Sequence, residues 1–257
     1  MSAQIAKKER RLVCVPTYNE RENVQPLLLG ILGLGLPIDV LFVDDDSPDG
    51  TGTVLDEIAD AHANVRVLHR RGKNGIGSAH RDALFWAYEE GYRRVATMDA
   101  DLTHSPHHLP RFFSELDAAP AVVGSRYMHD GSLRTWNVFR KTLTRTAHVA
   151  TRELLGIDYD ATGAYRAYDL GFIPREIFSL VSSDTYAFFF ESLYVLHVNG
   201  FAVKEIPIEL PARTYGSSKM ALKDAASSLG VLVRTMLQSK VAPESFLWPQ
   251  RGDGDEP

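Results

Sequence analysis

Short apolar runs alternate with longer amphipathic segments through the first half of the chain. The apolar runs are rich in valine and bounded by polar turns, as is typical of buried strands. They occupy residues 12–15, 40–43, 65–68, 95–98 and 121–124. Apolar residues at helical spacing predict helices over residues 22–34, 52–61, 78–90 and 106–116. This alternation predicts an α/β fold, with a mostly parallel, Rossmann-like sheet flanked by helices.

The alternation weakens in the second half. Helical spacing recurs over residues 139–155, 191–199 and 222–237. An extended segment with a turn at Thr162 and Gly163 is expected over residues 156–168, and a last strand over residues 203–208. We expect a disordered N-terminus at 1–10, a single domain at 11–240 and a disordered tail at 241–257.

Composition removes several classes of protein. The formal net charge of −5 argues against nucleic-acid binding, which favours a basic face. A single cysteine, Cys14, allows no disulfide within the chain and favours a cytosolic setting and a buried apolar role. The first residues lack the apolar core of a signal peptide, and the longest apolar stretch (27–38) falls short of the ~20 residues that span a bilayer.

The residues that directly follow each predicted strand are the candidates for chemistry, because ligands of open parallel sheets bind beyond the carboxyl ends of the strands. Asp99 and Asp101 follow the fourth strand, and their i, i+2 spacing lets both carboxylates face one ion. Mg²⁺ and Mn²⁺ prefer such oxygen ligands. The aspartates could instead cap the next helix, but Ser105 and Pro106 already supply that helix start, which favours a metal site.

Three other motifs have competing interpretations. The aspartates at 44–46 could bind a nucleobase or ribose, or form an Asx turn before a helix near Thr51; both can hold together. The Lys-x-Gly-x-Gly sequence at 73–77 could offer backbone N–H groups to a phosphate, although a flexible loop is the simpler explanation. The histidines are expected at a solvated helix N-terminus, with at most one assisting the metal: His104, His107 and His108.

Basic residues gather in the later loops. Arg126 follows the fifth strand, Arg140 and Lys141 open a helix, and Arg213 and Lys219 flank a loop of small residues. The planar fork of arginine suits phosphate groups. An acidic pole for a metal and a basic pole for anions together predict two phosphate-bearing substrates.

The motifs, taken in order, resemble the polyprenol-phosphate mannose synthases, a branch of the inverting family 2 glycosyltransferases with the GT-A fold. The matching strings are P-T-Y-N-E-R-E-N (16–23), D-D-x-S-P-D-G-T (44–51), D-A-D-L (99–102), S-R-Y (125–127), R-K (140–141), D-x-T-G-x-Y-R (160–166) and R-x-Y-G-x-S-K (213–219). They extend over nearly the whole chain. The sequence departs from the family pattern at Ala212, Ser217 and Thr103, where aspartate, glutamate and glutamine or serine are common.

The resemblance implies a role for each group of residues. Those implied to bind the nucleotide sugar are Pro16, Tyr18, Glu20, Val43, Asp45, Asp99, Ala100, Asp101, Arg213 and Lys219. Those implied to bind Mg²⁺ or Mn²⁺ are Asp99, Asp101 and Thr103. Those implied to bind the acceptor phosphate are Arg126, Arg140 and Lys141, and the catalytic set is Asp101, Arg126 and Arg140.

The activity that the resemblance implies is transfer of mannose from GDP-mannose to polyprenyl (dolichyl) phosphate, with inversion to a β-linked product. It also implies a peripheral position at the cytoplasmic face of a membrane, and it allows for a membrane-anchoring partner protein. The helix at 222–237 could rest on the membrane or pack on the core.

Other activities make different demands on the sequence. A related transferase could use UDP-glucose, or a hydroxyl acceptor that needs a carboxylate base such as Asp160 or Glu191. A nucleotidyltransferase would show a Gly-rich basic loop, which is absent from residues 12–23. A non-catalytic binding module would have no need of Asp99 and Asp101.

Overall fold

The computed structural model describes residues 11–129, 132, 133, 136, 138–211 and 222–249. The strands are β1 (Arg11–Thr17), β2 (Ile38–Asp44), β3 (Val65–His69), β4 (Arg94–Thr97), β5 (Ala121–Ser125), β6 (Arg166–Asp169) and β7 (Val203–Pro207). The α-helices are α1 (Arg21–Leu32), α2 (Thr51–Ala61), α3 (Ile76–Glu89), α4 (Leu109–Glu115), α5 (Val138–Leu155), α6 (Arg175–Ser179), α7 (Phe188–Val198) and α8 (Leu222–Val241). Short 3₁₀ helices cover Pro106–His108 and Pro243–Phe246.

The strands form a seven-stranded sheet in the order β3-β2-β1-β4-β6-β5-β7. β1 pairs in parallel with β2 and β4, and β2 pairs in parallel with β3. β6 runs antiparallel between β4 and β5, and β5 pairs in parallel with β7. The expected mostly parallel sheet is therefore confirmed, and the carboxyl ends of β1, β2 and β4 meet at one edge.

Two hydrophobic layers cover the two faces of the sheet, because successive side chains of a strand point to opposite sides. Leu12 and Cys14 of β1 belong to the layer that includes residues of α3 and α7. Val13 and Val15 belong to the layer that includes residues of α1 and α4. Cys14 is fully buried, and burial raises the pKa of its thiol, so it acts as a small apolar residue.

The fold differs from the sequence pattern at three places. The pattern does not predict β6 as a strand of the sheet, and it does not predict α6. The expected disordered tail begins too early at residue 241: Phe246 is buried, and its backbone oxygen accepts a hydrogen bond from Asn199 Nδ2 at 2.7 Å. The chain after α8 therefore still packs on the fold. Residues 1–10 and 250–257 lie outside the described residues, where the expected disorder stays a prediction.

Candidate active site

A cavity of about 210 Å³ opens where β1, β2 and β4 end; we call it the strand-end cavity. The expected site residues in its wall are Pro16, Tyr18, Glu20, Asp45, Asp99, Ala100 and Asp101. The other described wall residues are Thr17, Lys73, Gly75, Ile76, Ala79, Thr185, Tyr186 and Asp224. Residues from distant parts of the sequence thus share one wall, as expected for ligand sites beyond the carboxyl ends of parallel strands.

Asp99 and Asp101 form the acidic side of this cavity. Asp101 is 3% exposed, and its Oδ1 accepts hydrogen bonds from the backbone N–H of Thr103 at 3.0 Å and from its hydroxyl at 2.6 Å. The backbone N–H of Asp99 donates to His104 Nδ1 at 2.9 Å. His104 is buried and stacks on Tyr165, with 4.8 Å between ring centroids, so the expectation of a solvated His104 is wrong.

The two carboxylates fit a hard divalent cation in the type of ligand they offer. Within the described ranges, no three His, Cys, Asp or Glu side chains converge as metal ligands. A metal held by Asp99 and Asp101 would therefore complete its coordination with substrate oxygens or water, as Mg²⁺ commonly does with phosphates. The bonds of Thr103 indicate that it orients Asp101; its role as a ligand stays a prediction.

Two basic side chains contact wall residues of the strand-end cavity. Arg70 Nη1 donates to Asp45 Oδ1 at 2.5 Å, and Arg70 Nη2 donates to Ser78 Oγ at 2.6 Å. Burial raises the pKa of Asp45, and the ion pair with Arg70 opposes that rise. Lys73 Nζ lies 4.1 Å from the centroid of the Tyr18 ring. The Asp45 carboxylate is therefore fixed in place before any ligand binds.

The Asx turn expected after β2 is present alongside the cavity. Asp49 Oδ1 accepts hydrogen bonds from the Thr51 backbone N–H at 2.9 Å and from the Thr51 hydroxyl at 2.6 Å. Asp44 accepts bonds from Thr17 Oγ1 at 2.8 Å and from Ser47 Oγ at 2.6 Å. Asp44 and Asp49 therefore shape the loop that carries Asp45.

The glycines at 75 and 77 serve close packing. The backbone N–H groups of Gly77 and Ser78 donate to Asp184 O at 2.9 and 3.2 Å, which occupies the donors considered for a phosphate. A Cβ at Gly77 would lie 2.5 Å from Thr185 O. Only glycine lets the start of α3 approach the chain before α7 this closely.

A second, larger cavity of about 450 Å³ lies between α5 and α8; we call it the helical groove. Its described lining residues are Arg126, Trp136, Leu143, Thr144, Thr146, Ala147, Ala150, Thr151, Thr162, Tyr186, Phe190, Ala225, Ala226, Ser228, Leu229 and Leu232. Most of these side chains are apolar or small, and Leu229 is 57% exposed at its mouth. The groove thus offers an apolar surface with a guanidinium in its wall.

That guanidinium, on Arg126, is held in a buried ion pair. Its Nε donates to Asp160 Oδ2 at 2.7 Å and its Nη2 to Asp160 Oδ1 at 2.6 Å, and Nη2 also donates to the Thr162 hydroxyl. Although burial alone would raise the pKa of Asp160, the adjacent Arg126 charge and its hydrogen bonds hold that pKa below its usual value. Both Asp160 oxygens accept bonds from a cation, so this carboxylate is poorly suited to act as a base.

Glu191, the other carboxylate considered as a base, is also engaged in structural bonds. It is 2% exposed. Its Oε1 accepts from the Ser182 N–H at 3.0 Å and from the Ser182 hydroxyl at 2.7 Å, and its Oε2 accepts from the Ser183 N–H at 2.9 Å. Glu191 therefore holds the chain before α7 in place.

Several expected site residues have other placements. The Val43 side chain is fully buried in a hydrophobic layer and is not among the described wall residues, so its implied role in holding the nucleoside stays a prediction. Arg140 lies in α5, but its side chain is outside the described structure, whereas Lys141 is half-buried on the same helix. Arg213 and Lys219 lie outside the described residues.

The reasoning from sequence misses Arg70, which contacts the wall residue Asp45, and wall residues from the second half of the chain. Arg70 directly follows β3, so it lies at the carboxyl end of a strand, where ligand-binding residues of such sheets are expected. Tyr186 and Asp224 come from the second half of the chain, beyond the regular strand–helix alternation, and no local pattern marks them.

The comparisons with known proteins agree with this geometry. A family model described as glycosyl transferase family 2 matches residues 12–173, which is more than half of the chain. The chain belongs to this family. The GT-A fold expected from the motifs is confirmed.

Two relatives of this family 2 protein act on polyprenyl phosphates, according to their names. The polyprenol monophosphomannose synthase of Mycolicibacterium smegmatis is 40% identical over 223 residues, covering 85% of this chain and 84% of the relative. The undecaprenyl-phosphate mannosyltransferase of Micrococcus luteus is 37% identical over 214 residues, covering 82% of this chain and 88% of the relative.

A solved structure shares the fold at low identity. The glucosyl-3-phosphoglycerate synthase of Mycobacterium tuberculosis, in complex with Mn²⁺, uridine diphosphate and phosphoglyceric acid, has a TM-score of 0.59 and 18% identity. The likeness covers 97% of this chain and 82% of that protein.

Proposed function

We propose that this protein transfers mannose from GDP-mannose to a polyprenyl phosphate, with inversion at the anomeric carbon. The observation that carries the proposal is the adjacency of two unlike cavities, a polar one with paired aspartates and an apolar one with a buried arginine. A nucleotide sugar matches the first, and a lipid phosphate matches the second. The names of the two relatives support mannose as the transferred sugar and a polyprenyl phosphate as the acceptor.

The strand-end cavity is the proposed donor site. Asp45, beside Tyr18 and Glu20, faces the nucleoside, and Asp99 and Asp101 face the diphosphate through a divalent cation. When bound, Mg²⁺ or Mn²⁺ would offset the negative charge of the leaving diphosphate. A Mn²⁺ complex of the M. tuberculosis protein, which shares this fold, is compatible with that assignment.

Arg213 and Lys219 are proposed as a clamp on the donor phosphates, on the strength of the family motif alone. They precede α8 in the sequence, and Asp224 of α8 lines the strand-end cavity. A clamp in this segment would therefore connect donor binding to the helix that also borders the groove.

The helical groove is the proposed acceptor site. Its apolar lining matches isoprene units, and Arg126 matches the phosphate at their end, supported by Arg140 and Lys141 of α5. Since Asp160 already neutralises much of the Arg126 charge, the two α5 residues would supply the remaining positive charge.

The proposed reaction requires no general base. A phosphate monoester is already an anion near neutral pH, so its oxygen can attack the anomeric carbon directly while the nucleoside diphosphate leaves. The engagement of Asp160 and Glu191 in structural bonds supports this reading over a hydroxyl acceptor. The protein residues position two anions against each other and offset their charge.

Attachment to the cytoplasmic face of a membrane is the proposed location. Among the residues that the structure describes, no helix has both the length and the apolar character needed to cross a bilayer. Leu143, Val149 and Leu237 are exposed on α5 and α8, and Arg145 is also exposed on α5. Such a mixed apolar and basic surface suits an anionic leaflet. A membrane-anchoring partner protein would strengthen the same contact.

The proposal is tested by incubating the protein and Mn²⁺ with radiolabelled GDP-mannose and a polyprenyl phosphate, then counting label in the organic phase. We expect label there with wild-type protein and none with Asp101→Asn. Label in the organic phase with UDP-glucose but not with GDP-mannose would show that the donor is UDP-glucose and would contradict the proposed donor. Absence of lipid-linked label with every donor, despite donor binding, would contradict the lipid acceptor.

A further inference from the structure

Tyr186 lies where the two cavities adjoin. Within the described residues, it is the side chain that contributes to the walls of both the strand-end cavity and the helical groove. It is half-buried, just before α7. In the proposed reaction, the sugar leaves one cavity and joins the phosphate that enters from the other, so the reacting atoms must meet near this boundary.

We propose that Tyr186 contacts both substrates and sets their alignment, and that Glu191 and Arg234 are positioning residues that act through the segment carrying it. This inference rests on the proposed function. It adds a shared contact to the two separate binding sites.

The segment at residues 182–187, here called the bridging loop, is fixed from three sides. Glu191 of α7 accepts three hydrogen bonds from Ser182 and Ser183. Arg234 of α8 donates to Ser182 Oγ at 3.0 Å. On the third side, Asp184 O accepts the two backbone bonds from the start of α3.

These anchors connect the bridging loop to both binding sites. Ser78, which bonds Asp184 through its backbone, also accepts from Arg70, and Arg70 holds Asp45 in the strand-end cavity. Arg234 belongs to α8, which forms one side of the helical groove. Because the loop is fixed at both ends, the Tyr186 side chain can contact two ligands while keeping its position relative to each of them.

The experiment measures binding of GDP-mannose with Mn²⁺ and of a short-chain polyprenyl phosphate separately from turnover. We expect Tyr186→Ala to weaken binding of each ligand by about tenfold and to lower kcat by a larger factor, because alignment is also lost. Tyr186→Phe keeps the ring and should retain most of the affinity for both ligands.

Arg234→Ala tests the positioning role at an exposed residue whose loss leaves the core intact. We expect it to lower kcat by about tenfold with an unchanged melting temperature, and we expect Arg234→Lys to restore part of the rate. Arg111→Ala is the control, since Arg111 is an exposed arginine on α4 whose ion pair, within the described ranges, is with Glu115 of the same helix at 3.7 Å.

The outcomes separate this inference from the proposed function. Loss of affinity for one ligand alone in Tyr186→Ala, or for neither, would overturn the shared contact. If Arg234→Ala changes the rate no more than Arg111→Ala, the positioning role is overturned. Wild-type protein that binds both ligands without forming product would contradict the proposed function, and the affinities of the Tyr186 variants would still decide on the contact.

Discussion

Thr103 holds the buried carboxylate of Asp101 through both its backbone N–H and its hydroxyl. Removing the hydroxyl in Thr103→Val should lower kcat/KM for lipid mannosylation by about 10–100-fold, because a donor-site carboxylate loses its fixed orientation. Thr103→Ser keeps the hydroxyl and should retain most of the activity. Initial rates of label transfer measure the effect, and equal rates for the valine variant and wild type would contradict it.

The buried pair of Arg126 and Asp160 is expected to support the fold as well as the site. Asp160→Asn leaves the guanidinium without its counter-charge, which should lower the free energy of unfolding by about 3–5 kcal/mol. Urea denaturation measures this loss. The control is Glu89→Gln, which removes an exposed pair with Arg175 at 3.0 Å and should change stability by at most about 1 kcal/mol. A loss no larger than that of the control would argue against the structural role.

His80 should make the protein sensitive to mild acid. Burial chiefly, together with the nearby positive charge of Arg166, lowers the pKa of His80 to about 3. Below the ordinary histidine pKa of about 6.5, the unfolded chain binds a proton that the folded chain does not, so stability falls as the pH drops from there. The cost for this group is about 2 kcal/mol at pH about 5.

A variant can isolate this contribution. In His80→Phe, an aromatic ring still packs near Phe188 and Phe189 but cannot be protonated. We expect urea denaturation at neutral and mildly acidic pH to show a smaller difference in unfolding free energy for this variant than for wild type. Parallel pH dependence of the two proteins would exclude His80 as the source.

At the residue scale, the sequence predicts which residues lie at the edge of the sheet better than it predicts which side chains they pair with. Tyr18, Asp45 and Asp101 can be placed at one edge because each follows a recognisable strand. The ion pair of Arg70 with Asp45 cannot be read in the same way, since it joins residues that only the fold brings together. Val43 shows the limit of a motif: it lies two residues before Asp45, but its side chain packs in the hydrophobic layer with Leu12 and is absent from the described wall of the cavity.

At the scale of elements, the contact between α3 and the bridging loop depends on the absence of a side chain at residue 77. In Gly77→Ala, the new Cβ would lie 2.5 Å from Thr185 O and 2.6 Å from Phe188 Cβ, so one element must shift. We expect a loss of about 1–3 kcal/mol in unfolding free energy, measured by denaturation.

Gly230→Ala on α8 is the matched control for this contact. A Cβ there would meet no atom of another described element within 4 Å, and alanine favours a helix over glycine by about 0.5–1 kcal/mol. The two substitutions should therefore change stability in opposite directions. A stabilised Gly77→Ala protein would show that the close approach is not needed.

The missed elements have a physical explanation. β6 is only four residues long and carries Arg166 and Asp169, which a sequence pattern assigns to the surface. Both can be buried because distant parts of the chain supply their hydrogen-bond partners. Arg166 donates to the backbone oxygens of Ala161 and Phe189 at 3.0 and 2.7 Å. Asp169 accepts a hydrogen bond from Arg93 at 2.9 Å. Regular apolar strands are visible in the sequence, whereas a strand stabilised by distant polar partners is not.

At the scale of the whole molecule, the edge of the sheet forms one cavity, and the two long helices, α5 and α8, form the other. α8 borders both spaces, with Asp224 in the wall of the strand-end cavity and Leu229 in that of the helical groove. We therefore assign the donor and the acceptor to separate cavities that meet at Tyr186, and filling one cavity alone tests this assignment.

The most direct test is the affinity for each ligand in Ala147→Trp, which places an indole in the helical groove. The matched control is Glu153→Trp, since Glu153 lies on the same helix with its side chain 63% exposed and is not among the described lining residues of the groove. We predict that Ala147→Trp raises the KM for polyprenyl phosphate by about tenfold or more while GDP-mannose binding stays unchanged, and that the control alters neither. An unchanged KM for polyprenyl phosphate in a folded Ala147→Trp protein would contradict the assignment of the groove to the lipid.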